Sequence, residues 1–225
     1  MTTIHTIERR PRVAGAGPAP LLLLLHGYGA NERDLFDLAD EVDPRFHVVS
    51  ARAPLALPWG GFAWYHLGGA PGRLVPDAAS RARAIELVER FVSSLPGRLG
   101  TDPARTYLLG FSQGAIMGLA LALRRPEALA GLVAISGYAD PELTPGQAPA
   151  GLAGLPILQL HGTYDDVIPV AAAHQTRDLL AGLPVRHRYQ EDPIGHGIHP
   201  DGLRTIRAWL AERLEEEARG GHDAP

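Results

Sequence analysis

The chain has 225 residues, 45% of them apolar, with 21 basic and 25 acidic side chains and no cysteine. That length supports one sizeable core, whereas two domains would each be small. A formal net charge of −4 without a basic stripe argues against nucleic-acid binding, and the lack of cysteine excludes a disulfide framework, a thiolate nucleophile and a cysteine-held metal.

Near the N-terminus, Arg9, Arg10 and Arg12 precede residues 13–25, an order that superficially matches the basic and apolar parts of a secretory leader. Residues 15–20 break helices, however, and the five leucines that follow fall far short of the ~20 residues of a membrane-crossing helix. A cytoplasmic protein with neither leader nor membrane span is expected.

In chain order, residues 3–10 alternate weakly and predict an exposed early strand. Leu21–Leu25 is wholly apolar and bounded by turn residues, as a buried strand is. Residues 34–42 place Leu35, Leu38 and Val42 on one helical face, and 46–51 reads as the next strand. Residues 52–76 are rich in proline, glycine and aromatics and lack a period; a stretch of that length carries function or moves, a lid being one form. An amphipathic helix is predicted over 77–95, a strand over 105–109, a helix over 113–125 stopped by Pro126, and a strand over 131–136. Residues 140–154 hold three prolines and read as loop. Strands at 156–160 and 185–190 flank a helix at 171–181. A last amphipathic helix covers 200–218, leaving 219–225 as a disordered tail. This alternation predicts an α/β fold, with a mainly parallel central sheet and helices on both faces, in one domain over residues 1–218.

Gly110-Phe111-Ser112-Gln113-Gly114 is a G-x-S-x-G sequence, which chance would supply only ~0.08 times in a chain of this composition. Its chemistry needs a serine hydroxyl on a tight strand-to-helix turn, where crowding admits only small residues two places to either side. The helix that follows turns its positive end toward the place where an oxyanion forms. A serine so placed needs a base, and the base needs an orienting carboxylate, in the order serine, acid, histidine. The strand at 156–160 runs into His161-Gly162-Thr163-Tyr164-Asp165-Asp166, so Asp165 and Asp166 both stand where the acid belongs. His196, between Gly195 and Gly197, suits the base; His199, before Pro200, suits a helix entrance. No metal is expected at these histidines, because no acidic or histidine cluster at helical spacing accompanies them. His26 and His161 each follow a strand and precede glycine, and are expected to form structural hydrogen bonds beneath the site.

Two backbone amides are required for the oxyanion. One belongs to Gln113, and His26-Gly27-Tyr28-Gly29 stands where the second loop belongs, with Tyr28 able to turn its amide inward. Trp59, Phe62, Trp64 and Tyr65, with Ile168 beyond the acid, are expected to wall a substrate pocket.

These residues resemble the phospholipase/carboxylesterase family of α/β-hydrolases, which includes acyl-protein thioesterases and small bacterial carboxylesterases. The resemblance spans roughly residues 21–210. It rests on Leu25-His26-Gly27-Tyr28-Gly29-Ala30-Asn31, Arg52-Ala53-Pro54, Ala63-Trp64-Tyr65, the Ser112 motif, His161-Gly162 with Asp165, Val167 and Pro169, and Gly195-His196. It implies Ser112 as nucleophile, Asp165 as acid (four residues after His161) and His196 as base, with Tyr28 and Gln113 giving the oxyanion amides. It also implies a small-molecule ester, thioester or lysophospholipid substrate, no cofactor, and a homodimer. Position 28 is often leucine in the family, so the tyrosine changes the pocket wall. Two other readings keep the fold. One is lactone or C–C hydrolysis, although dienelactone hydrolases carry cysteine where Ser112 stands; the other is a binding protein without catalysis.

Overall fold

The computed structural model describes residues 4–220 apart from 16, 71, 72 and 148. Its strands and helices, in chain order, are β1 (Thr6–Arg9), β2 (Leu21–Leu25), α1 (Leu38–Glu41), β3 (His47–Ala51), β4 (Leu55–Ala56), β5 (Phe62–Ala63), β6 (Leu67–Ala70), β7 (Arg73–Pro76) and α2 (Ala78–Leu99). There follow β8 (Thr106–Phe111), α3 (Gln113–Arg124), β9 (Gly131–Ile135), β10 (Pro156–Gly162), α4 (Val170–Ala181), β11 (Arg186–Asp192) and α5 (Pro200–Gly220). Seven strands form one sheet in the order β1-β3-β2-β8-β9-β10-β11, antiparallel at β1 and parallel elsewhere.

The five leucines of β2 show why the strand lies near the centre. Leu21, Leu23 and Leu25 enter one core with α2, α3 and Leu180 of α4, while Leu22 and Leu24 enter a second core with Ala39 of α1 and Ile206, Trp209 and Leu210 of α5. Successive side chains point to opposite faces, so a strand covered on both sides has no place for a polar residue. The helices on both faces make this the doubly covered α/β arrangement that the sequence predicted. In such sheets the chain turns at the C-terminal ends of the strands create the ligand crevice.

Several boundaries differ from those predicted. The helix expected at 34–42 shrinks to Leu38–Glu41. Asn31 accepts the Arg33 amide through its side chain, and the bonds Asp34 to Asn31, Phe36 to Arg33 and Leu38 to Leu35 close tight turns in place of α-turns. Leu35 and Val42 are nonetheless buried, so the apolar spacing served the core through turns. The early strand is narrower than 3–10, whose first residue lies outside the described ones. Residues 52–76 are not featureless: they hold the β4–β5 and β6–β7 hairpins. The final helix continues through Arg219 to Gly220, not ending at 218, because no breaker precedes Gly220 and Arg219 in its last turn complements the helix dipole. The rest of the predicted tail, 221–225, lies outside the described residues.

Helix α2 begins where the Asp77 side chain accepts the Ser80 amide at 2.7 Å and ends at Gly100, left-handed at φ 67°. Its Arg81 forms a buried ion pair with Asp140 in the loop after β9 and also meets Glu142. A buried guanidinium left without its carboxylate is strongly destabilising, so this pair clamps the loop after β9 to α2. At the far edge, β11 has β10 as its one strand neighbour, and its Arg186, Arg188 and Glu191 are exposed.

Candidate active site

Strand β8 passes directly into α3 through Ser112, which sits at φ 52° and ψ −117°. A non-glycine residue in this region stores strain of about 1–3 kcal/mol, held only because its surroundings fix it. The Ser112 amide donates to Ile135 O at 2.9 Å, and its carbonyl accepts the Ile116 amide at 3.0 Å. The flanking glycines are sterically required. A Cβ on Gly110 would lie 2.4 Å from Gly114 O, and one on Gly114 would lie 2.0 Å from Leu25 O.

Asp165 stands in the turn after β10, its side chain fully buried. Its Oδ1 accepts the amides of Val167 at 2.9 Å and Ile168 at 2.8 Å, and its Oδ2 lies 2.7 Å from Nδ1 of His196. Beside a carboxylate, which only accepts, Nδ1 is the donor of this bond. Asp166, the other candidate, is exposed. His161 lies under the acid: its Nε2 donates to Ile168 O at 2.8 Å and stands 3.4 Å from Asp165 Oδ2. The two loops meet through Thr163 N to Asp192 O and Tyr164 N to Ile194 O, and a Cβ on Gly162 would strike Gly195 O at 2.2 Å. The His196 ring packs on Phe111 with centroids 4.9 Å apart. His199 is elsewhere, accepting the Asp201 amide at the start of α5.

The loop after β2 is fixed by several partners. Gly29 donates to Phe62 O at 2.9 Å, Phe62 donates to Ala30 O at 2.8 Å, and Trp64 Nε1 donates to His26 O at 2.9 Å. Gly29 is left-handed at φ 81°, a conformation glycine adopts without penalty. The Gln113 side chain reaches across to the same segment, accepting the Trp64 amide at 2.8 Å and donating to Tyr65 O at 2.9 Å. A single residue thus places both its own amide at the start of α3 and the wall opposite.

His26 accepts the Ala53 amide at Nε2, 3.0 Å, and lies 2.7 Å from Gly27 O through Nδ1. The ring is therefore a neutral Nδ1–H tautomer, and burial lowers its pKa below the ordinary histidine value. Folding depresses this pKa, so the stability contributed by the neutral ring is complete above the unfolded value of about 6.5 and is lost as pH falls through the folded one. Long-range 15N–1H correlation should show His26 still in the Nδ1–H form at pH 6, where an ordinary imidazole is largely protonated. Titration of this ring near 6.5 would contradict that reading.

Ser112, His196, Gln113 and Tyr28 line one cavity of about 970 Å³, a volume typical of small-molecule sites. Tyr65 and Ile168 line it, as predicted from sequence, but the other three aromatics do not. Trp59 is 72% exposed in the turn between β4 and β5. Phe62 lies under the Arg52 guanidinium at 4.7 Å, and Trp64 is buried behind the wall with its indole N–H committed to His26. The sequence reading missed Tyr138, Pro141 and Thr144 on the loop after β9, which also line the cavity. Their position at the C-terminal end of a central strand was the available signal. Among the described residues no group of three or more histidine and carboxylate side chains could hold a metal, and no helix is long and apolar enough to cross a membrane.

A mainly parallel, doubly covered sheet, with a strained serine at a strand-to-helix elbow and an Asp–His pair on later loops, defines an α/β-hydrolase. Comparison with known proteins narrows this. Residues 13–214 match the family model described as Phospholipase/Carboxylesterase, and the chain belongs to that family. It is 27% identical over 218 residues to a probable carboxylesterase of Oryza sativa subsp. japonica, covering 91% of this chain and 92% of that one. It is 30% identical over 182 residues to acyl-protein thioesterase 1 of Neurospora crassa, covering 73% and 71%. The crystal structure of esterase PE8 superposes with a TM-score of 0.77 at 32% identity, covering 93% of this chain and 98% of that one.

Proposed function

We propose that this protein is a serine carboxylesterase, with Ser112 as nucleophile, His196 as base and Asp165 as the carboxylate that orients it. The observation that carries this reading is the 2.7 Å bond between Nδ1 of His196 and the buried Asp165, in a cavity shared with the strained Ser112. His196 Nε2 takes the Ser112 proton as Oγ attacks the ester carbonyl. The Gln113 and Tyr28 amides receive the developing negative charge, reinforced by the N-terminus of α3. His196 then returns the proton to the departing alcohol, leaving an acyl-enzyme. Water, activated by the same imidazole, releases the acid. The sequence of steps requires no cofactor. A thioester passes through the same steps with a thiol leaving, and a lysophospholipid through those of an ester.

A fluorophosphonate probe is expected to form one covalent adduct, located at Ser112 by peptide mass spectrometry. Alongside it, p-nitrophenyl esters from acetate to palmitate and a palmitoyl thioester sort the substrate classes. A protein that neither labels nor hydrolyses any of them is a binding protein and not an esterase. The cytoplasmic location expected from the N-terminal sequence and the homodimer implied by the family belong to the same reading, and light scattering tests the dimer.

A further inference from the structure

The cavity is apolar along much of its wall, yet three tyrosines line it: Tyr28, Tyr65 and Tyr138. Tyr65 follows β5, and Tyr138 follows β9 at the sheet edge where Ser112 stands. The Tyr65 ring is buried, and its carbonyl accepts from the Gln113 side chain at 2.9 Å. The Tyr138 hydroxyl meets no protein partner among the described residues. The hydroxyl is not sealed from solvent, and the residue lines the cavity.

The backbone around Tyr138 is held firmly. Ala139 donates to Thr176 Oγ1 at 2.9 Å. Asp140 accepts the Glu142 amide on its carboxylate at 3.0 Å and the Leu143 and Thr144 amides on its carbonyl, while its buried carboxylate pairs with Arg81. The phenol is thus presented from a fixed backbone. Burial and then the nearby Asp140 charge raise the pKa of Tyr138, and burial raises that of Tyr65. Both are O–H donors at neutral pH, where an ordinary tyrosine is already protonated.

A plain alkyl chain laid along this wall removes water from the Tyr138 donor and gives nothing in return. Sites that present a buried donor reject analogues lacking the matching oxygen, because the donor is then left unpaired. We propose that Tyr138 is a specificity-determining residue: its hydroxyl, in the cavity that Tyr65 also lines, forms a polar subsite that takes a hydroxyl or carbonyl oxygen carried by the substrate. The preferred esters are then oxygenated ones, not simple alkanoates. This rests on the esterase reading above.

Matched esters test it. Hexanoate against 3-hydroxyhexanoate and 6-hydroxyhexanoate, as p-nitrophenyl esters, places the oxygen on the acyl side; butyl acetate against 4-hydroxybutyl acetate places it on the alcohol side. The wild type is expected to favour the oxygenated member of at least one pair by about tenfold in kcat/KM. Tyr138→Phe is expected to erase that ratio, with the plain ester gaining. Because the variant is judged by its ratio on two substrates, a lower amount of folded enzyme does not imitate the result. A wild type that prefers the plain ester in every pair overturns the proposal, and so does a ratio unchanged in Tyr138→Phe; both leave the esterase reading standing. A wild type that hydrolyses none of these esters sinks that reading and the subsite together.

Discussion

Replacing Ser112 with alanine is expected to lower kcat on p-nitrophenyl butyrate by about six orders of magnitude and to abolish fluorophosphonate labelling. The size of the loss follows from the role: without the hydroxyl no acyl-enzyme forms, and what remains is the rate at which the oxyanion amides and binding alone assist water. The fold should hardly notice. The Ser112 hydroxyl has no protein partner among the described residues, so its removal leaves nothing unpaired, and alanine meets the same φ of 52° as serine. A melting temperature within about 2 °C of wild type is therefore expected. Retained activity in a folded Ser112→Ala protein would remove Ser112 from the mechanism, whatever the elbow looks like.

The second large effect belongs to a residue with no chemistry. Gly114→Ala would place a Cβ 2.0 Å from Leu25 O and 2.9 Å from His26 O. Both are backbone atoms, in β2 and in the loop beyond it, so no side chain can rotate away. Strand and helix have to separate. A loss of about 3 kcal/mol or more is expected, among the larger values for one methyl group, equivalent to some 6–12 °C of melting temperature in a chain of this size. Gly97→Ala makes the control. Gly97 is exposed within α2, and a methyl added there would have nothing within 4 Å, so alanine should add about 0.5–1 kcal/mol through helix propensity. Thermal melts of the two variants decide the matter, and a Gly114→Ala protein as stable as wild type would mean that β2 and α3 are not in such close contact.

These two residues also mark how far the sequence could be read. The Ser112 motif, the histidine at the end of β10 with the aspartate beyond it, and the glycine-flanked His196 are local patterns, each tied to a turn that only certain residues can make. The structure brings all three side chains to one edge of the sheet. The β2 leucines were equally plain, since burial on both faces leaves no alternation to confuse. What could not be read depends on partners distant in sequence. Nothing near Arg81 announces that Asp140, 59 residues later, is its counterion, and so nothing announced that the loop carrying Tyr138 would be fixed against the cavity. Aromatic composition drew attention to residues 59–65, but composition has no direction: Trp64 turned inward to His26, Trp59 outward to water. The 34–42 segment shows a different limit, for apolar spacing reports which residues face the core and not whether turns or a helix carry them there.

The open flank of the sheet at β11 has a meaning for solutions of this protein at high concentration. An edge strand displays a row of amides and carbonyls that any extended segment can copy, and stacking of that kind leads to fibres. Here the row runs between Arg186, Arg188 and Glu191, all exposed, with Arg186 already engaged by Glu216 at 3.0 Å. A second strand docking there would have to dehydrate those charges along its whole length, and two β11 strands would bring arginines against one another. Such charges disfavour the pairing of two β11 edges, the means by which an unfinished sheet is kept from growing.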